Sequence, residues 1–191
     1  MIGVVCPGPP LGRLITMTSL LAILVSCAAL SPEEVEQKRH EIDAMSEAAL
    51  SRLVESRPEV KQSLDQAVGV AVADMSVTKI PFVGAGGGTG VIVDRRSNAR
   101  TYVKVSRFEI GGGMGVQSFK AILLVQDPKL MDEGMSGFWH FDAGADVAAG
   151  EKSAEGSVAS ASRGYQVFRL ADSGAIATVT VRSIRARPFL D

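Results

Sequence analysis

Hydrophobic positions change their period twice along this chain. From Leu14 to Val25 they form an almost unbroken run, Leu-Ile-Thr-Met-Thr-Ser-Leu-Leu-Ala-Ile-Leu-Val. From Val35 they recur at Ile42, Met45, Ala49 and Leu53, which is the spacing of one helix face. Ser31-Pro32-Glu33-Glu34 marks the start of that helix: Ser31 can cap, Pro32 suits the first helical position and Glu34 completes a capping box. Pro58 interrupts, and Val60, Leu64 and Ala67 predict a second, shorter helix. From Val68 the period becomes two, with Val68/Val70/Val72, Val91/Val93 and Val103/Val105 alternating with small or polar residues as in half-buried strands. Asp94-Arg-Arg-Ser-Asn-Ala-Arg100 separates two such runs and reads as a hairpin loop. Further strands are expected at 119–125, 141–149, 164–170 and 175–184, with Asp172-Ser-Gly174 as a turn between the last two. Asp127-Pro128 opens a short helix containing Leu130 and Met131. The expected fold class is α+β: a β-dominated single domain of antiparallel, glycine-rich strands, preceded by one or two N-terminal helices.

Charge restricts the reading of the first helix. Between Glu33 and Arg57 there are seven acidic residues and four Lys or Arg, whereas helices that lie on membranes carry a cationic polar face. The apolar stripe is therefore expected to pack on the domain core. The whole chain has 20 Lys+Arg against 21 Asp+Glu, a net charge of -1, which argues against a nucleic-acid partner. Both cysteines, Cys6 and Cys27, precede the first predicted helix, so the body of the chain has no disulfide, thiolate metal site or thiol nucleophile.

The apolar run near the start has the order of an address signal. Arg13 is the sole charge before Glu33, and the run that follows it is too short to span a bilayer comfortably as a helix. Leu24-Val25-Ser26-Cys27 then resembles the bacterial lipobox, in which the cysteine is diacylated and becomes the mature N-terminus. The expected organisation is a lipoprotein signal peptide at 1–26, a lipidated N-terminus and the start of a helical arm at 27–44, and the domain at 45–187. Two acyl chains anchor stably where one binds only reversibly. Ala28 stands where an inner-membrane retention signal often places Asp, so the resemblance implies anchoring at the periplasmic face of the outer membrane.

Glycine is the other conspicuous signal. Nine of the 20 glycines fall between Gly84 and Gly115, at 84, 86, 87, 88, 90, 111, 112, 113 and 115. A phosphate-cradling loop would continue into Gly-Lys-Ser/Thr and a helix, and neither run does. Glycine here instead fits bulging, tight coiling and close backbone approach in a sheet. Ser76-Val-Thr-Lys79 matches SxxK without the companion motifs of a serine acylase. His40 and His140 are single and far apart in sequence, and no Gly-x-Ser-x-Gly occurs. The expectation is a protein that is not an enzyme and takes no cofactor or metal.

Several segments in order carry a more specific resemblance. Ala67-Val-Gly-Val-Ala-Val, Lys79-Ile-Pro-Phe-Val-Gly84, Gly88-Thr-Gly-Val-Ile-Val-Asp94, Gly111-Gly-Gly-Met-Gly-Val-Gln117 and Asp142-Ala-Gly-Ala-Asp-Val-Ala-Ala-Gly150 together resemble the SYLF domain, also called Ysc84-type or Las17-binding. The resemblance runs over roughly 45–185. It implies binding of lipid or membrane surfaces, described as phosphoinositide binding for eukaryotic members and as actin binding for some. For a bacterial chain it implies bulk phospholipid. Two regions depart from the family: the arm is acidic, and Ser173–Val181 followed by Arg182-Ser-Ile-Arg-Ala-Arg187 replaces an aromatic, glycine-bearing C-terminal strand.

Two cation clusters and one aromatic cluster are candidate membrane contacts. Arg95, Arg96 and Arg100 share the hairpin loop, and Arg182, Arg185 and Arg187 lie near the C-terminus. Each Lys or Arg near an anionic surface contributes about 1 kcal/mol; a solvated loop and tail is the alternative. Phe138-Trp139-His140-Phe141 fits either an interfacial cluster, with Trp139 its anchor, or core. The expected function is a non-enzymatic lipoprotein held through Cys27, whose domain associates with membrane phospholipid in the envelope. The alternative is a periplasmic scaffold that binds an envelope protein partner without lipid affinity of its own.

Overall fold

The computed structural model describes residues 30–148, 158–160 and 164–190. The signal-peptide and lipobox readings, with Cys27, lie outside these residues, as do 149 and 150 at the end of the last resembling segment. Helix α1 (Pro32–Ser56) begins as the sequence implies: the Ser31 hydroxyl accepts from the Glu34 amide, and the Glu34 carboxylate accepts from the Ser31 amide at 2.7 Å. It runs unbroken past residue 44 and buries Ile42, Ser46, Ala49 and Leu53. Helix α2 (Val60–Gln66) follows, and then strands β1 (Gly69–Ile80), β2 (Phe82–Asp94) and β3 (Ala99–Val125). Helix α3 (Pro128–Met135) is capped by Asp127 and precedes β4 (His140–Ala148), β5 (Val158–Ser160) and β6 (Tyr165–Pro188). The architecture is α+β and dominated by one antiparallel sheet, ordered β1-β2-β3-β6-β4, with β5 also on β6.

One extra pairing shapes the sheet. The β1–β2 hairpin lies against β3 with both of its strands: β2 pairs residues Ala99 to Gly111 of β3, and β1 pairs Gly115 to Val125. These three strands thus close on one another, and β3 turns the corner at the hairpin tip. Glycine makes the corner possible. Gly111, Gly113 and Gly115 have φ of 139, 143 and 146, a conformation that costs other residues strain. A second requirement is close approach: a Cβ on Gly88 would lie 1.6 Å from the Asp74 carbonyl oxygen. The glycine runs therefore serve sheet geometry.

Two expected breaks are absent. The segments around Val103 and Phe119–Val125 belong to one 27-residue strand, because alternate glycines at the corner stay extended and keep their pairing to β6. The expected turn at Asp172-Ser-Gly174 lies inside the 24-residue β6, where the register skips Asp172 between Ser118 and Phe119 of β3. Turn-forming residues were overridden by a continuous partner strand. Asp172 is also held by Arg52 of α1 and Lys120 of β3, each at 2.9 Å.

The sheet has two apolar faces at its helix-covered end. On one, Ala49, Leu53 and Val60 of the helices pack on Val70, Val72, Ile122, Leu124, Phe168 and Leu170. The other, inside the closed strands, holds Met75, Val77, Ile92, Val103, Val105 and Phe119, plugged by Met131 and Trp139.

Candidate functional site

The two arginine clusters expected from the sequence have different fates. The loop between β2 and β3 is cationic by composition but neutralised by its surroundings. Arg95 donates to the Leu64 carbonyl and, at 3.3 Å, to that of Ala67, stapling the end of α2. Arg96 forks onto Asp94, with Nε–Oδ1 at 3.0 Å and Nη2–Oδ2 at 2.9 Å, and reaches Asp132 of α3 at 2.6 Å. The hydrogen bonds from Arg96 hold the Asp94 carboxyl at a pKa of about 2, against the opposing effect of its burial. Arg100 pairs with Asp43 of α1 at 2.6 Å, and the Tyr102 hydroxyl donates to the same carboxylate at 3.0 Å. These three arginines tie the hairpin loop to three helices and do not form a free cationic surface.

Arg185 and Arg187 are exposed on β6, without an ion-pair partner among the described residues. The register sets Arg187 opposite Lys104 and Arg185 opposite Ser106, so the exposed Lys104 joins them. Lys104 was missed in the sequence because its neighbours there are Val103 and Val105; only pairing with β6 brings it to the arginines. The Arg182 side chain lies outside those described. Trp139 takes the core alternative and is not a membrane contact: it is 6% exposed, and a Cβ on Gly134 would stand 2.1 Å from its ring. Its neighbour Phe138 is exposed.

Beside the three cations is an apolar surface that the sequence reading did not single out. Ile80, Phe82 and Val83 at the β1–β2 tip are exposed, as are Phe108, Ile110, Met114 and Val116 of β3. Val83 pairs with Ile110, and Ala85 with Phe108, so the tip and β3 form one surface. These seven make up most of the exposed large hydrophobic side chains among the described residues, so the clustering is not the ordinary scatter of surface apolar groups. Phe82 is 71% exposed and has φ 79, a value usually given to glycine in a two-residue turn after proline.

Beneath this surface the interior is charged. Lys79 and Glu109 are fully buried and form an ion pair at 3.7 Å, and Arg107 Nε donates to Glu109 Oε1 at 2.5 Å. Gln117 is buried beside them and accepts from Arg169, whose guanidinium stacks 3.8 Å from the Phe119 ring centroid. The sequence held the signal for this cluster. Arg107 and Glu109 continue the same alternate positions as Val103 and Val105, and an inward reading of the valines extends to them.

Other chemistry-bearing residues stay apart. Ser76 faces outward and Lys79 inward on β1, so an SxxK proton relay cannot form on this strand. His40 is exposed on α1 and His140 at the start of β4. A shallow groove of about 420 Å³ is lined by Asp74, Gly87, Gly88, Lys120 and Asp172. Its charges satisfy one another: Lys120 Nζ lies 2.8 Å from Asp74 and 2.9 Å from Asp172. Burial opposes the charge on Lys120, yet its two carboxylate partners raise its pKa overall. Among the described residues no helix is long and apolar enough to cross a membrane.

No protein-family model matches the chain. It is similar to Beta cell expansion factor A of Aeromonas veronii, with 28% identity over 145 residues. The match covers 76% of this chain and 55% of that relative, so the chain spans little more than half the length of the protein it resembles.

Proposed function

We propose that the protein is a non-enzymatic lipoprotein of the bacterial envelope, anchored through acylated Cys27, whose SYLF-type domain associates with phospholipid surfaces. The observation that carries the reading is the exposed apolar surface at the β1–β2 tip, flanked by Lys104, Arg185 and Arg187, which have no ion-pair partner among the described residues. Apolar area favours leaving water by about 25 cal/mol per Å², and cations beside it suit anionic headgroups. The ordered segments that resemble SYLF domains support the family reading, and three of them contribute Lys79–Gly84, Gly88–Asp94 and Gly111–Gln117 to the strands around the tip.

Co-sedimentation of the unacylated polypeptide from Ala28 onward with anionic and zwitterionic vesicles tests the domain. Binding that weakens with salt on anionic vesicles is the expected result. Absence of binding to either at low salt, together with a crosslinked envelope protein, would replace lipid association by a scaffold role. For the anchor, Cys27→Ser is expected to abolish acylation, read as the loss of the diacyl mass at the N-terminus.

A further inference from the structure

We propose that the β1–β2 tip, with the adjoining stretch Phe108–Val116 of β3, enters the acyl region of an anionic phospholipid bilayer while Lys104, Arg185 and Arg187 stay at its headgroups. This inference rests on the lipid-association reading and assigns it a surface and an orientation.

The first argument is the inversion of the strands. In the helix-covered part of the sheet, alternate residues point valine, isoleucine or leucine inward. Around the tip the same alternation puts Lys79, Arg107 and Glu109 inside and Ile80, Phe108 and Ile110 outside. Apolar outside and polar inside is the arrangement of strands that face hydrocarbon. In water it is unfavourable on both counts: charges lose hydration, and large apolar groups remain wet. Backbone pairing meets the other demand of a lipid environment, because β1, β2 and β3 close on one another and the tip presents no open edge between them.

The second argument is strain. Glycine at position 82 would hold the turn without cost, yet the chain carries a phenylalanine there at φ 79 and leaves it 71% exposed. Its ring does not support the fold from that position, so its burial must be sought outside the molecule. The third argument is the flanking charge. Arg185 pairs with Ser106, one alternate position from Phe108, and two residues along a strand span about 7 Å. That spacing sets the cations at headgroup level when the phenylalanines lie just below it.

Three variants separate this proposal from its foundation. Phe82→Trp in the acylated protein, reconstituted in vesicles of phosphatidylglycerol and phosphatidylethanolamine, introduces a tryptophan that acyl-brominated lipids are expected to quench. Trp139, buried in the core, supplies a weakly quenched background in the wild type. Phe82→Gly in the unacylated chain is expected to raise the melting temperature while weakening vesicle affinity about tenfold; a residue with only a structural role would move both in one direction. Arg185→Gln with Arg187→Gln is expected to cost about fivefold per charge on anionic vesicles and to flatten the salt dependence. If the wild-type unacylated chain ignores vesicles, the lipid reading falls, and this inference with it. If wild type binds but Phe82→Gly binds equally well and the introduced tryptophan is unquenched, this inference alone falls. A solution dimer that Phe82→Gly disperses, with vesicle binding unchanged, would assign the surface to a second copy and overturn it as well.

Discussion

The helix-covered end of the sheet and the hairpin-tip end follow opposite rules although they share the same strands. At the first, Leu53, Val72, Ile122 and Leu124 are buried and the ion pairs of α1 and α2 lie at the surface. At the second, Lys79 and Glu109 are buried and Ile80, Phe82 and Ile110 are exposed. The first arrangement accounts for folding in water; the second is unfavourable in water, and the proposed bilayer contact would relieve it. One polypeptide thus separates the part that holds the fold from the part that is available for contact. The glycine corner at Gly111–Gly115 belongs to the second, where Gly111 pairs with Phe82 and Gly115 with Lys79.

Five substitutions test that contrast, starting from the largest expected effect. Glu109→Ala leaves Lys79 and Arg107 buried without their shared carboxylate and is expected to destabilise by about 3–5 kcal/mol, measured by urea unfolding. A loss under about 1 kcal/mol would mean that water reaches the tip interior and that the inversion is not a dry one. Leu53→Ala opens a cavity in the helix-packed core and is expected to cost about 2–5 kcal/mol. Unlike the tip variants, it should leave vesicle affinity unchanged once the protein is folded.

At the corner, the comparison narrows to adjacent glycines. Gly113→Ala places a side chain at φ 143 and is expected to cost about 1–3 kcal/mol. Gly112→Ala meets open space and is expected to be nearly neutral. Equal losses from the two would show that chain flexibility, and not the backbone angle, is what the corner requires. A further small effect belongs to the loop that the arginines tie down. Asp94 has a reference pKa of 3.8 and a folded value of about 2. Its contribution is therefore complete above 3.8 and is lost as pH falls toward 2. Because Arg96 is partly exposed, the loss is expected to stay under about 1 kcal/mol. Asp94→Asn should remove that portion of the acid dependence in thermal melts between pH 4 and 2.

Much of the fold was legible because it depends on neighbours in sequence. The capping box at Ser31, the stripe ending at Leu53, the hairpin loop at Arg95–Asn98 and the short helix after Asp127 follow from local chemistry and periodicity. The site was less legible. Arg95, Arg96 and Arg100 looked available until Asp43, Asp132 and the α2 carbonyls were brought to them from up to about 57 residues away. Trp139 looked interfacial as readily as buried, and Gly134 and Met131 decide the matter by receiving it in the core. The Lys79–Gly84 segment marks the tip in the sequence, but exposure of Phe82 is a property of the assembled surface.

The amino-acid order alone determined the α+β class, the sequence of helices and strands, and the need for glycine near residues 84–90 and 111–115, because period, caps and backbone angles are short-range properties. Only the tertiary structure decided that β3 and β6 run unbroken, since a strand persists wherever its partner continues to pair with it. It also decided which arginines are neutralised, because neutralisation depends on carboxylates that the fold brings from elsewhere. And it alone turned Lys79 and Glu109 inward beneath an apolar tip, since the inside of a sheet exists only after its strands have closed.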